Sequence, residues 1–341
     1  MTGIAYALLS AVLFGVSAPL AKLLLGAISP WLLAGLLYLG SGLGLGLVRL
    51  LRRSNEAGLG WRDLPWFGLA VLAGGVVGPV LLVFGLARTT AAEASLLLNL
   101  ESVLTLALAW IVFKENVDRR LLVGAAAIVA GAVVLSWPKE TALGLSLGPV
   151  LIAGACLAWA IDNNFTRKVS AADPMQIAMA KGLVAGIVNV TIALALGAPL
   201  PEPAAIAGAG LLGFFSYGVS LTLFVLALRH LGTARTGAYY ALAPFIGAGF
   251  AILFLGEPIS LAFIAGGLLM AIGLWLHLSE RHLHTHEHEP LEHEHVHVHD
   301  AHHQHTHAPG LPPEPHVHPH RHRRLIHRHP HYPDLHHRHT H

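Results

Sequence analysis

The chain has one cysteine in 341 residues, Cys156, so no internal disulfide can staple it. Charge is scarce as well. Asp, Glu, Lys and Arg make up 12% of the chain, about half the usual share of a soluble domain. Its apolar part holds no glycine-rich phosphate loop, no nucleophile constellation and no zinc-enzyme motif, which argues against an enzyme. Nothing in it points to nucleic acid either. No basic leader precedes the first apolar run, Gly3–Leu25, which therefore reads as a retained helix and not a cleaved signal.

Apolar residues make up 54% of the sequence, and the mean hydropathy is +0.61. A water-soluble core cannot hide that much apolar surface, so the expected solvent is a lipid bilayer. Ten apolar segments stand near 3–24, 30–51, 65–87, 90–113, 119–137, 148–167, 174–197, 205–228, 233–255 and 259–279. Each is close to the ~20 residues that span the hydrocarbon. Breakers such as Pro30, Pro65, Pro138, Pro174 and Pro258 mark the short connections. With the N-terminus inside, the inside loops hold eleven basic residues and the outside loops three, Lys22, Arg88 and Lys139. That bias puts both termini in the cytoplasm, as expected of a cell-membrane protein.

The chain repeats itself. With a shift of 142, Ala92 meets Ala234, Leu100 meets Leu242, Ser102 meets Pro244 and Glu115 meets Glu257. With a shift of 145, Phe14, Ser17, Pro19 and Lys22 meet Trp159, Asp162, Asn164 and Arg167. Five segments per half is an odd number, so the second half enters the membrane upside down. Inverted repeats of this kind belong to secondary transporters, whose halves exchange roles between inward- and outward-open states.

The runs LLLNLESVLTLALAWIVFKE, GAYYALAPFIGAGFAILFLGEP and CLAWAIDNNFTRK resemble the paired EamA domains of the drug/metabolite transporter superfamily. The resemblance covers about 3–279, as two five-helix repeats at 3–137 and 148–279. It implies an all-α integral membrane fold of ten transmembrane helices, with a cavity lined by helices one to four and six to nine and with five and ten peripheral. It does not select a substrate, because the family carries amino acids, metabolites, nucleotide sugars and toxic organic compounds. The family's proline in helix four is Ser102 here, while Pro244 keeps it in helix nine.

Ionisable groups inside a bilayer need a partner or a task. Glu101 lies about 11 residues into segment four, roughly 16 Å deep by the helical rise. A carboxyl there suits proton loading and release, or an interhelical hydrogen bond. Ser95, Asn99 and Ser102 share one helical face, and Glu101 points away from it. Asp162 and Lys181 lie at matched depths, roughly 9 and 10 Å from the same side, and are expected to pair. Asn163 and Asn164 follow Asp162. Tyr239 and Tyr240 precede Pro244, where a bent helix is expected. Glu115 and Glu257 are expected to bond neighbouring helix ends. Gly40, Gly42, Gly44, Gly46, Gly74, Gly75 and Gly78 permit close helix contact. The candidate pathway residues are Ser17, Asn99, Glu101, Asp162, Asn163, Lys181, Tyr239 and Tyr240.

After Glu280 the composition changes. Of the 25 histidines, all but His230 and His277 fall in 282–341. Many alternate: His282, His284, His286 and His288, then His293, His295, His297 and His299, with His302, His303, His305 and His307 following. Prolines and the lack of apolar periodicity argue for a disordered cytoplasmic tail. Alternate residues of an extended chain point to one side, and imidazole suits Zn, Ni, Co and Cu, so several loose metal sites are expected there. No cofactor is required. The expected partners are the lipid bilayer, a small-molecule substrate, transition-metal ions at the tail and, compatibly with the sequence, a second copy of the chain. The leading reading is an exporter or exchanger of a small organic solute. Its alternatives are a transporter of a transition metal or metal chelate and a membrane-anchored metal sensor or buffer.

Overall fold

The computed structural model describes residues 2–51, 59–61, 63–113, 119–137, 147–166, 169 and 173–279, with backbone strand segments further on. Eight helices among them are long and apolar enough to cross a membrane. They are α1 (Gly3–Leu24), α2 (Pro30–Leu51), α3 (Leu64–Leu86), α4 (Ala91–Val112), α5 (Arg119–Ser136), α7 (Met175–Ala195), α8 (Pro203–Ala227) and α10 (Leu261–Leu278). Two more helices stand where spans six and nine are expected, α6 (Leu147–Thr166) and the 13-residue α9 (Ala243–Leu255). The polar run Asp162–Asn163–Asn164 makes α6 less apolar than the others.

Small side chains share the inside of the bundle with large ones such as Leu33 and Ile152, and many large ones also face outward. Ala7, Ala11, Ala18 and Ala21 of α1 are buried, while Leu43, Leu47, Leu50, Leu253, Phe254 and Leu261 are exposed. That distribution suits lipid as solvent. Close backbone approach is what holds helices together there, and large chains need no shelter from hydrocarbon. A Cβ at Gly42 would meet the backbone of Gly182 and Leu183, and one at Gly40 the backbone of Gly210. Hydroxyls add polar ties. Ser10 Oγ donates to Ser220 O at 2.7 Å, and Ser220 Oγ returns to Ser10 O at 2.9 Å, joining α1 to α8.

Helix contacts come in matched pairs. α2 packs on α7, α4 on α9, and α5 on α10. α1 packs on α8 and α9, as α6 packs on α3 and α4. Within the first three pairs the chains run antiparallel. Trp31 and Gly42 of α2 meet Asn189 and Gly182 of α7. Ala91 and Ser95 meet Glu257 and Gly247 on the α9 side, and Gly124 and Gly131 of α5 meet Gly273 and Gly266 of α10.

Two helices widen at one place each. α3 is a π-helix over Val71–Val77 and α8 over Phe214–Val219. Pro79 follows the first, and having no N–H it cannot donate to the carbonyl of Gly74 or Gly75.

Segment four is one span with a tightened turn at Leu98–Asn99, between Leu97 and Leu100; there the Asn99 amide donates to Leu96 O at 2.8 Å in competition with the backbone ladder. Segment nine is entered without a marked loop. Helical backbone continues from Ser220 to Tyr240 and pauses at Ala241–Leu242, ahead of Pro244. Yet the Tyr240 ring packs on Phe224 with centroids 4.7 Å apart. Sixteen residues of straight helix would part them by roughly 24 Å, so the path folds back between them. His282–His288 pairs antiparallel with Leu325–His331, and Glu292–His297 with His316–Arg321. Alternation of histidine with Leu283, Thr285, Val296 and Val317 gives these segments a strand's period of two.

Candidate functional site

The polar residues of the apolar region converge around the widened turn of α3. Tyr38 Oη of α2 donates to Gly74 O at 2.8 Å, and Trp159 Nε1 of α6 donates to the same oxygen at 2.9 Å. Asn189 Nδ2 of α7 reaches Gly75 O and Val76 O, each at 3.3 Å. Carbonyls that Pro79 and the π turn leave without helical donors are thus taken up by three neighbouring helices. In hydrocarbon such carbonyls could not be left bare.

Asp162 and Lys181 pair as their matched depths require. Lys181 Nζ lies 2.6 Å from Asp162 Oδ1 and 2.7 Å from Oδ2, and Thr166 Oγ1 donates to Oδ1 at 2.8 Å. Side-chain exposures of 16% and 9% make this a largely buried pair. Gly74 is what lets it form, since a Cβ there would fall on the Asp162 carboxylate. A second ion pair, Arg49 with Asp173 at 2.6 Å, ties the end of α2 to the cap of α7.

Glu101 faces α6. Its Oε1 accepts from Asn163 Nδ2 at 2.8 Å, and the same amide lies 3.4 Å from Thr105 Oγ1. Asn163 is exposed and Glu101 half-buried. A carboxyl and an amide in a membrane-spanning bundle need partners, and here they partner each other. Rings form a row between α1, α2 and α8. Tyr38 and Tyr217 lie 5.5 Å apart, Tyr217 and Phe14 5.9 Å, Phe14 and Tyr240 5.6 Å. Ser17 is buried next to Tyr217.

Glu101, Asp162, Asn163 and Lys181 therefore come together on α6 and its neighbours, and Ser17 and Tyr240 lie along the ring row. Tyr239 precedes Tyr240 and points about 100° round the helix from it. Asn99 turns to α10, with its amide 3.9 Å from Met270 Sδ. Ser95 and Ser102 bond carbonyls of their own helix. Cys156 packs against α4, its Sγ 3.7 Å from Leu97 O. Glu257 bonds a neighbouring helix end as expected: its oxygens accept from Ala91 N and Ala92 N at 2.7 Å each. Gly256 lets the chain turn there with φ of 66°. Glu115 lies outside the described residues, as do the side chains of the tail histidines. Sequence reasoning missed the Gly74 carbonyl, although Pro79 placed after Gly74–Gly75 was its signal.

The chain matches known proteins over nearly all of its helical part. An uncharacterized transporter of Methanothermobacter thermautotrophicus is 29% identical over 283 residues, 78% of this chain and 82% of that protein. A probable amino-acid metabolite efflux pump of Salmonella typhimurium is 25% identical over 198 residues, 54% of this chain and 66% of that protein. One solved crystal structure superposes with a TM-score of 0.60 at 18% identity, over 81% of this chain and 98% of that one, which shows a shared fold. The model of the EamA-like transporter family matches twice, at residues 1–137 and 146–279. The chain is a multi-pass membrane protein that belongs to the EamA-like transporter family.

Proposed function

We propose that this member of the family is a secondary transporter of ten spanning helices, exporting or exchanging a small organic solute by alternating access. Its halves are two inverted repeats, 3–137 and 148–279. One observation carries the reading: each of α2, α4 and α5 packs antiparallel on its own counterpart, α7, α9 and α10. A two-fold axis in the membrane plane produces that arrangement, and it is the symmetry that lets two halves exchange states. The π segments agree with it to within one residue, since Val71–Val77 plus the repeat shift of 142 gives 213–219 against Phe214–Val219. The printed name of the Salmonella relative, an efflux pump for amino-acid metabolites, supports outward movement of small organic solutes.

In this reading Glu101 takes up and releases the coupling proton, and Asn163 holds its carboxyl from α6. Asp162 and Lys181 brace α6 against α7 beside it. Both termini face the cytoplasm, and the histidine tail at 282–341 binds transition-metal ions without being needed for the fold. The test is efflux from proteoliposomes holding the full chain, with an imposed pH gradient. Glu101→Gln is expected to insert and fold normally but to lose the effect of the gradient. A variant that still responds to the gradient would make Glu101 an interhelical tie and nothing more.

A further inference from the structure

We infer that the two strand ladders of the tail are metal sites, each holding one four-coordinate ion of the Zn or Co class between two adjacent rungs of paired histidines. This rests on the metal-binding reading of the tail above and says where the ions sit. The strand register carries it. In the outer ladder His282, His284 and His286 stand opposite His331, His329 and His327. In the inner ladder His293, His295 and His297 stand opposite His320, His318 and His316. Within each ladder the three pairs occupy every second rung, so they share one face of it. Alternation along each strand does not compel this. A slip of one residue would set each of these histidines against a residue that is not histidine, and would put the histidines of the two strands on opposite faces.

Directly opposite residues of an antiparallel pair have Cβ atoms about 4.5–5.5 Å apart, and the next pair on the same face is about 7 Å further along. Two neighbouring rungs thus bring four histidines together as one ligand set, and four nitrogens complete a tetrahedral Zn site. The ladders also need a tie. Each is two strands wide, and a two-stranded ladder is marginal in water. Pro319 and Pro330 stand inside the paired segments and have no N–H to give to a ladder. Between the histidine rungs, Val296 with Val317 is the one pairing of two β-branched residues. An ion shared by opposite strands offsets this weakness, because the free energy of binding it is also free energy of folding. Any two adjacent rungs of three include the middle one. His284 with His329, and His295 with His318, are therefore the pairs that each site requires.

The test uses the purified full chain in lipid nanodiscs, stripped with a chelator and titrated with Co(II). Its visible absorption is intense in four-coordinate sites and weak in six-coordinate ones. The unaltered chain is expected to give the four-coordinate spectrum and to saturate it with one ion per ladder. His284→Gln with His329→Gln is expected to remove one of those ions, and His295→Gln with His318→Gln the other. His302→Gln with His303→Gln takes away as many histidines outside the ladders and is expected to leave both ions in place. A six-coordinate spectrum, both ions retained in the middle-rung variants, or an equal loss in all three double variants overturns the inference. In each of those cases cobalt still binds, so the metal-binding reading of the tail stands. No uptake of cobalt by the unaltered chain removes both.

Discussion

Asp162→Asn and Lys181→Met, made singly and together, test the pairing that organises α6 and α7. In Lys181→Met the Asp162 carboxylate keeps the Thr166 hydroxyl at 2.8 Å and loses its cation. In Asp162→Asn the Lys181 ammonium loses bonds of 2.6 and 2.7 Å and keeps a 3.4 Å contact to Thr166. Side-chain exposures of 16% and 9% leave little water to screen either orphaned charge. Breaking a buried pair from one side costs about 3–5 kcal/mol, and Lys181 is left the poorer of the two. The double variant carries no orphan, so its loss is expected to stay at or below that of the worse single. The coupling then comes to about 3 kcal/mol. Unfolding of the purified chain in mixed micelles, followed by far-ultraviolet circular dichroism, measures all four corners. Losses that add to within about 0.5 kcal/mol would show that the two residues do not act on each other.

Other outcomes follow from the same geometry. Gly74→Ala puts a methyl group on the Asp162 carboxylate and is expected to cost about 1–3 kcal/mol by overpacking; an unchanged melting temperature would refute that. Tyr38→Phe or Trp159→Phe alone leaves Gly74 O one donor and is expected to cost about 1 kcal/mol, while the two together are expected to lose more than the sum because the carbonyl is then bare. A chain ended at Glu280 is expected to fold and insert, and the separate 282–341 peptide to take up Zn or Ni at neutral pH. That uptake is expected to weaken as pH falls through the histidine pKa of about 6.5, since a protonated imidazole has no lone pair to donate. Metal found with the truncated chain instead would remove the tail from metal chemistry.

Much of the helical architecture was legible because hydrophobic runs bounded by prolines carry their own length scale. The pairing of Asp162 with Lys181 was legible for the same reason: depth along a helix is set by counting residues. What depends on lateral position was not. Nothing in the run Gly74–Gly75–Val76–Val77 gives the direction of a carbonyl, so the meeting of Tyr38 and Trp159 on one oxygen needed coordinates. The tightened turn at Leu98–Asn99 was missed because it has no proline; a side-chain amide bonds the backbone there. Asn99 looked like Glu101's equal as a pathway residue, and two positions along a helix put one on α10 and the other on α6.

The bond from Trp159 to Gly74 also makes the molecule report on itself. An indole whose N–H is held by a carbonyl emits at longer wavelength than one that is free in an apolar setting. Trp159 stands three residues before Asp162 on the helix that also carries Asn163, so any parting of α3 from α6 during a working cycle must first break that hydrogen bond. Subtracting the emission of Trp159→Phe from that of the unaltered chain isolates this one indole among seven. A blue shift on adding solute would then time the opening of the α3–α6 seam, with no label attached.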